Sequence, residues 1–416
     1  MKELLKEKKN FLLLAYPLSL LLVILARCVP GFAEYVWARG MYRVYRFVLA
    51  SITGLLPFSL GEIIVILIVP AILFLLVRAV IRAVRAHKEK KALLTLMRTL
   101  RNFLMAVGFI WLAFTIGAGV NYSRDGIGTA LGLEVGSNNV EDLKEVCIQL
   151  ATKAAAARTE LENKRIETWF NDPEDVKLSG NMDERDEKQS GSTAGTEAKK
   201  IPLETYEETI RSTAFESMYT NRERAGAARE AMKNLSDDVD VLAGAFPRPK
   251  SVTFSRVMSM FDISGVFFPW TIEANVNVDT PDHTKGFVAC HELSHVAGFM
   301  REDEANFIAF LACRQSGDPE LTYSGYIFGF VMAYNKLYSF SKEACAEVAA
   351  LISPGMRADM IKNSEYWDQF REGVLYEAGS TMNNTYLKMN GQKDGTESYG
   401  RMLDLVMALY RRDGQV

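Results

Sequence analysis

Histidine is scarce in this chain, with four residues in 416, and cysteine is hardly commoner at five. Cys28, Cys147, Cys290, Cys313 and Cys345 show no close pairing, which excludes a thiolate metal cluster and argues against a fold built on disulfides. A bridge between two of Cys290, Cys313 and Cys345 stays open. No internal repeat is visible. Charge is missing altogether from Asn102 to Tyr122, and large apolar side chains are almost missing from 171 to 200. The first absence marks a lipid-facing stretch. The second marks a segment that cannot bury enough surface to offset its ordering entropy, so a disordered insertion is expected at about 171–200.

What is present divides the chain in two. Residues 1–121 carry 16 Lys and Arg against 5 Asp and Glu, whereas the remainder carries 32 against 46. Three apolar stretches in the basic part, at about 11–27, 58–78 and 102–122, are long enough for spanning helices of roughly 17 to 25 residues. No small-x-small cleavage pattern closely follows the first, which is therefore expected to remain as an anchor rather than leave as a signal peptide.

Lys2, Lys6, Lys8 and Lys9 precede the first stretch. Arg78, Arg82, Arg85, Lys88, Lys90, Lys91, Arg98 and Arg101 crowd the connection between the second and third. Short loops rich in Lys and Arg stay in the cytoplasm. The expected protein sits in a cell membrane with its N-terminus in the cytoplasm and everything after Tyr122 outside. Topology and contact with anionic lipid account for the basic loop, so no nucleic-acid partner is expected. Arg39, Arg43 and Arg46 fall in the first connection, which must then be external. Its Tyr and Trp content suits an interfacial helix.

In the acidic part, 139–169 has the composition of a long helix opened by Asn138 or Asn139, and helical spacing resumes over 204–234. Pro247 and Pro249 mark a boundary. Gly265 to Trp270 and Ile272 to Val278 alternate apolar and polar residues, predicting a hairpin, with Glu273 to Asn277 as the candidate edge strand for a peptide substrate.

Directly after it comes His291-Glu292-Leu293-Ser294-His295, then Gly298 and Arg301-Glu302-Asp303-Glu304. Residues four apart on a helix share a face, so His291 and His295 can meet one metal ion while Glu292 stands beside a metal-bound water and can take its proton. Pro281-Asp282 opens this helix. Gly298 ends it at a position that suits a left-handed residue. A second helix, from about Glu302 to Arg314, must supply the third ligand.

Glu302 and Glu304 compete for that role, and two residues apart on a helix they point about 200 degrees from each other. Glu302 is favoured because its face continues through the small or polar Ala305, Asn306 and Ala309. That leaves Asn306 one turn away to orient a ligand. Two His and one Glu leave a zinc ion with an open position for water, which Glu292 would deprotonate as general base for attack on a peptide bond.

His283, about 12 Å earlier along the helix axis, is too far to share the ion and is expected to be structural. One of Tyr323, Tyr326 and Tyr334 could steady an oxyanion, though packing is the commoner role for such residues. Their apolar run to Phe340 holds polar residues that fit a core helix better than a fourth span.

The order of parts, with Phe-Pro-Trp-Thr-Ile-Glu-Ala-Asn-Val-Asn at 268–277, Cys290 to Phe299 and Arg301 to Phe307, resembles the bacterial membrane family called domain of unknown function 3810. The site is also similar to HExxH zincin metallopeptidases of the gluzincin type, in which a Glu-x-x-Ala-Asp or Glu-x-x-Ala-Asn helix holds the third ligand. That likeness again selects Glu302. Glu302 lies only seven residues beyond His295, a departure from many such peptidases, and the Gly298 turn is closer to the metzincin arrangement, in which Arg301 would stand at the ligand position.

The expected fold is mainly α. A membrane domain at 1–123 is followed by an extracytoplasmic α+β zincin-like domain at 124–416 with a small β-sheet. The expected function is a membrane-anchored zinc metallopeptidase acting on envelope or secreted proteins. The alternative is an inactive scaffold in which the metal only staples two helices.

Overall fold

The computed structural model describes residues 7–88, 92–171, 203–389 and 401–416. Beyond Asn171 the expected insertion lies outside these residues, as do Lys2, Lys6, Lys90 and Lys91. The chain is mainly helical. Helices α1 (Ala15–Cys28), α2 (Tyr42–Thr53), α3 (Leu60–Lys88) and α4 (Ala92–Gly117) make up its first part. Segments Lys9–Cys28, Leu60–Ala86 and Ala92–Gly117 are each long and apolar enough to cross a membrane.

α3 is apolar on every side and leaves its side chains exposed, the pattern of a helix whose solvent is lipid. α1 packs on α4, where Tyr16 donates to the Leu104 carbonyl at 2.7 Å. A Cβ on Gly108 would lie 2.7 Å from the Tyr16 ring, so glycine there permits the close approach. The third stretch differs from expectation, beginning ten residues earlier and ending at Gly117 rather than Tyr122. Arg101 does not break the helix because it is buried against Glu7 at 2.8 Å.

The first connection is a π-helix, Phe32–Met41, running into α2. Its arginines serve to attach it. Arg39 and Arg43 lie 3.4 and 3.6 Å from Asp240, and buried Arg46 donates to the Leu242 carbonyl at 3.2 Å under the Phe246 ring. This segment therefore packs against the stretch of the second part that holds Asp240, Leu242 and Phe246. One apolar core includes Trp37, Tyr42, Val120, Leu293 and Phe307, so no break in packing occurs at residue 123.

The second part is built from α5 (Val140–Asn171), α6 (Asn221–Asp238), α7 (Asp282–Val296), α8 (Glu302–Gln315), α9 (Pro319–Phe340), α10 (Pro354–Arg371) and α11 (Met402–Asp413). α5 packs along α9, and α7 sits among α6, α8 and α9. Asn139 caps α5 by accepting from the Asp142 N–H at 2.7 Å.

The single helical stretch expected over 204–234 is broken. Leu203–Ser212 ends, and α6 starts at Asn221. Between them the N–H groups of Phe215, Ser217 and Met218 go to the carboxylates of Asp359, Asp282 and Glu320 on three other helices. Tertiary partners override local helical preference.

Strand β1 (Lys250–Ser251) pairs parallel with β3 (Glu273–Val276), and β2 (Gly265–Phe268) pairs antiparallel with β3's other side. The hairpin before α7 is therefore present. Its roles are reversed from expectation, because Glu273 to Asn277 covers the central strand, paired on both sides and buried. The edge beside α7 belongs to β2.

The sheet rests on the ends of the apolar helices. Glu273 accepts from the Leu60 and Gly61 N–H groups at 3.1 and 2.8 Å, satisfying donors that the first turn of α3 leaves free. Glu62 in return accepts from Thr253 and Phe254 at 3.1 and 2.8 Å. Trp270 donates to the Ile110 carbonyl of α4 at 3.1 Å. The Arg-rich ends of α3 and α4 are thus the ends remote from the sheet.

Candidate metal centre

α7 ends in a sharp reversal. Gly298 has φ +91°, and the N–H groups of Gly298 and Phe299 reach back to His295 and Ser294 at 2.9 and 3.1 Å, a Schellman closure that brings α8 alongside. The last carbonyls of the turn are taken by distant residues. Tyr42 donates to Val296 and Arg124 to Ala297, each at 3.1 Å. Arg124 itself is buried, paired with Glu34 at 3.0 Å and laid over the Phe299 ring.

The reversal carries Glu302 to the two histidines. His291 Nε2 and His295 Nε2 stand 3.1 Å apart, with Glu302 oxygens 3.2 Å from the first and 3.7 Å from the second. One ligand atom from each of the three falls within 4.8 Å of the others, a group that could hold a metal ion. The side chains of His291, Glu302 and His295 are 12, 12 and 10 % exposed, so the group opens to solvent.

His295 Nδ1 lies 2.7 Å from the Phe299 carbonyl. As an N–H donor there it leaves the Nε2 lone pair turned toward His291, the arrangement a ligand histidine needs. Asn306 lies against His291, and His291 Nδ1 and Asn306 Nδ2 are both buried without a hydrogen-bond partner.

Burial makes protonation of these rings costly. At His291 the Glu302 carboxylate more than offsets that cost and holds the pKa above its ordinary value. At His295 burial wins and lowers the pKa to about 4. Glu292 is raised to about 8, first by burial and further by Glu302, against the lowering influence of His291 and the Phe267 N–H. Its Oε2 is buried and unpartnered.

Gly265 of β2 packs directly on Glu292. A Cβ there would fall 2.8 Å from Glu292 Cγ and from Val288 Cγ1, and closer still to Glu292 Oε1.

Glu304 is not in the group. It is buried beside Gly126 and the Ile127 N–H, with its pKa raised to about 7 by burial. His283 is buried two turns up α7, its Nδ1 3.9 Å from Asp359. Tyr323 gives its hydroxyl to Asp359 at 2.5 Å, while Tyr326 and Tyr334 pack on Phe310 and Phe330. The five cysteines are free. α9 is not among the segments long and apolar enough to cross a membrane.

Sequence reasoning missed Gly265, Phe267, Arg124 and Glu34. Gly265 had a signal, since an isolated glycine opening a strand pattern often marks close backbone approach. Arg124 and Glu34 had none, being 90 residues apart.

Neither the curated proteins nor the solved structures include a match to this chain. The family described as "Protein of unknown function (DUF3810)" matches residues 37–407, and the chain belongs to that family.

Proposed function

We propose that the chain is a membrane-anchored zinc metallopeptidase, with His291, His295 and Glu302 as metal ligands and Glu292 as general base. The observation that carries this reading is the convergence of the three donors from two helices next to an unpartnered buried carboxylate. Donors at the corners of a zinc tetrahedron with bonds of about 2.0–2.1 Å stand roughly 3.3 Å apart, close to the separations of 3.1, 3.2 and 3.7 Å found here. Nitrogen and carboxylate oxygen suit zinc. When bound, the ion supplies Lewis acidity, making water more acidic and polarising a carbonyl.

The chain's own residues supply the rest. His295 is held in one tautomer by the Phe299 carbonyl, and Asn306 lies where it can steady His291. Glu292 sits one residue after His291, where its carboxylate can accept a proton from water and return it to the departing amine. β2 offers its open edge beside Glu292, where an extended peptide can add as a further strand. The charge pattern supports an orientation. Arg78, Arg82, Arg85, Arg98 and Arg101 lie at the ends of α3 and α4 remote from the sheet, the pattern of cytoplasmic ends, and this favours a metal centre on the outer side.

The test is metal content and peptide cleavage by the full chain purified in detergent. Wild type and Glu292→Gln are expected to hold about one zinc ion per chain, and only wild type to cleave. His291→Ala and Glu302→Ala are expected to lose both properties. Equal cleavage by Glu292→Gln would overturn the assignment of the base, and a metal-free wild type would overturn the whole reading.

A further inference from the structure

From the way the sheet is mounted on the apolar helices, we infer that the substrate is a membrane-tethered polypeptide cut next to its own span. This inference rests on the peptidase reading above. At one end of β2, Gly265 touches Glu292. At the other end Phe268 packs on Gly61, where an added Cβ would lie 2.8 Å from the ring. Three residues of strand cover about 10 Å, and Gly61 lies in the first turn of α3, whose apolar span starts at Leu60. The bond to be cut therefore sits on the order of 10 Å along β2 from the mouth of a span.

The mounting is rigid. Glu273 caps α3, Glu62 holds the loop at Thr253 and Phe254, Trp270 bonds to α4, and Pro269 lies against Gly117. Glu273, Glu62 and Pro269 meet the ends of α3 and α4, and Trp270 reaches Ile110, seven residues inside α4, so lifting β2 away from that level would strain these links.

The surroundings are apolar too. Leu55, Phe58 and Phe254 are exposed around the same end of α3, and Val266 is exposed on the sheet itself. Such a rim suits the bilayer interface and disfavours a site reaching up to soluble proteins. An extended chain leaving a neighbouring span needs only a few residues to reach Glu292 along β2, at about 3.3 Å each. A cleft set 30 Å above the membrane would need about nine.

The experiment compares bacterial cells producing the full chain with cells producing Glu292→Gln and maps newly formed N-termini in their membrane and soluble fractions. The expected result is a set of termini at least tenfold depleted in the Glu292→Gln cells, lying within about five residues of the outer end of a transmembrane segment. For one such protein, moving the cleaved bond to within five residues of its span should leave cutting unchanged. Termini in soluble proteins, or far out in large ectodomains, would overturn this inference and leave the peptidase reading standing. Identical termini in both cell types would remove the peptidase reading and this inference with it.

Discussion

α3 and α8 put side chains of opposite kinds in opposite places. α3 exposes Ile, Leu, Val and Phe all round, with Phe74 63 % accessible, whereas α8 buries Asp303, Glu304 and Asn306 together with Phe307. Apolar character by itself therefore marks a lipid-facing surface in one region and a core in the other. What distinguishes them is partnership. Glu304 accepts from the Ile127 N–H, and one Asp303 oxygen lies 3.4 Å from Arg301, so these polar groups of α8 meet partners that the side chains of α3 lack.

Two substitutions test this contrast most strongly. Phe307→Ala is expected to cost about 3–5 kcal/mol by opening a cavity in the core, whereas Phe74→Ala should change the unfolding midpoint in detergent hardly at all. Similar shifts for both would show that α3 is packed against protein. Next, Arg124→Ala leaves the buried Glu34 carboxylate with Arg39 alone, at 2.8 Å, and is expected to cost roughly 3 kcal/mol, the low end for breaking one partner of a buried pair. Arg39→Ala, which removes a half-exposed partner of the same carboxylate, should cost no more than ~1 kcal/mol. Thermal unfolding of the two variants side by side decides it.

The smallest effect is a dependence on acid. Burial alone would lift the Glu34 pKa, but Arg124 and Arg39 outweigh it and hold the pKa below 4.5. The folded state then takes up this proton less readily than the unfolded chain. The stability it contributes is complete above pH 4.5 and declines as pH falls through the depressed folded value. Unfolding midpoints between pH 3 and 7 should show that decline in wild type, and Arg124→Ala should flatten it.

The spans, the hairpin, the Gly298 reversal and the long helix after Asn139 were legible because each is written locally, in apolar runs, alternation, glycine and caps. The grouping of His291, His295 and Glu302 was legible for the same reason: all three lie within 12 residues, and helix geometry limits where they can point. Features set by distant partners were not legible. The early start of α4 depends on Glu7 meeting Arg101, and the break after Ser212 depends on carboxylates from α7, α9 and α10. The central position of β3 depends on the two-residue β1, too short to leave a pattern.

The caps that Tyr42 and Arg124 place on the end of α7 have a practical consequence. A fragment beginning after Tyr122, the obvious choice for a water-soluble version, would discard Tyr42, the Glu34 partner of Arg124 and the Arg46 dock together. The histidine-bearing helix would then end in an unsupported turn, and failure of such a fragment to bind a metal ion would report the missing brace and leave the proposed ligands untested. A test of the proposed metal centre calls for the whole chain, handled in detergent or lipid.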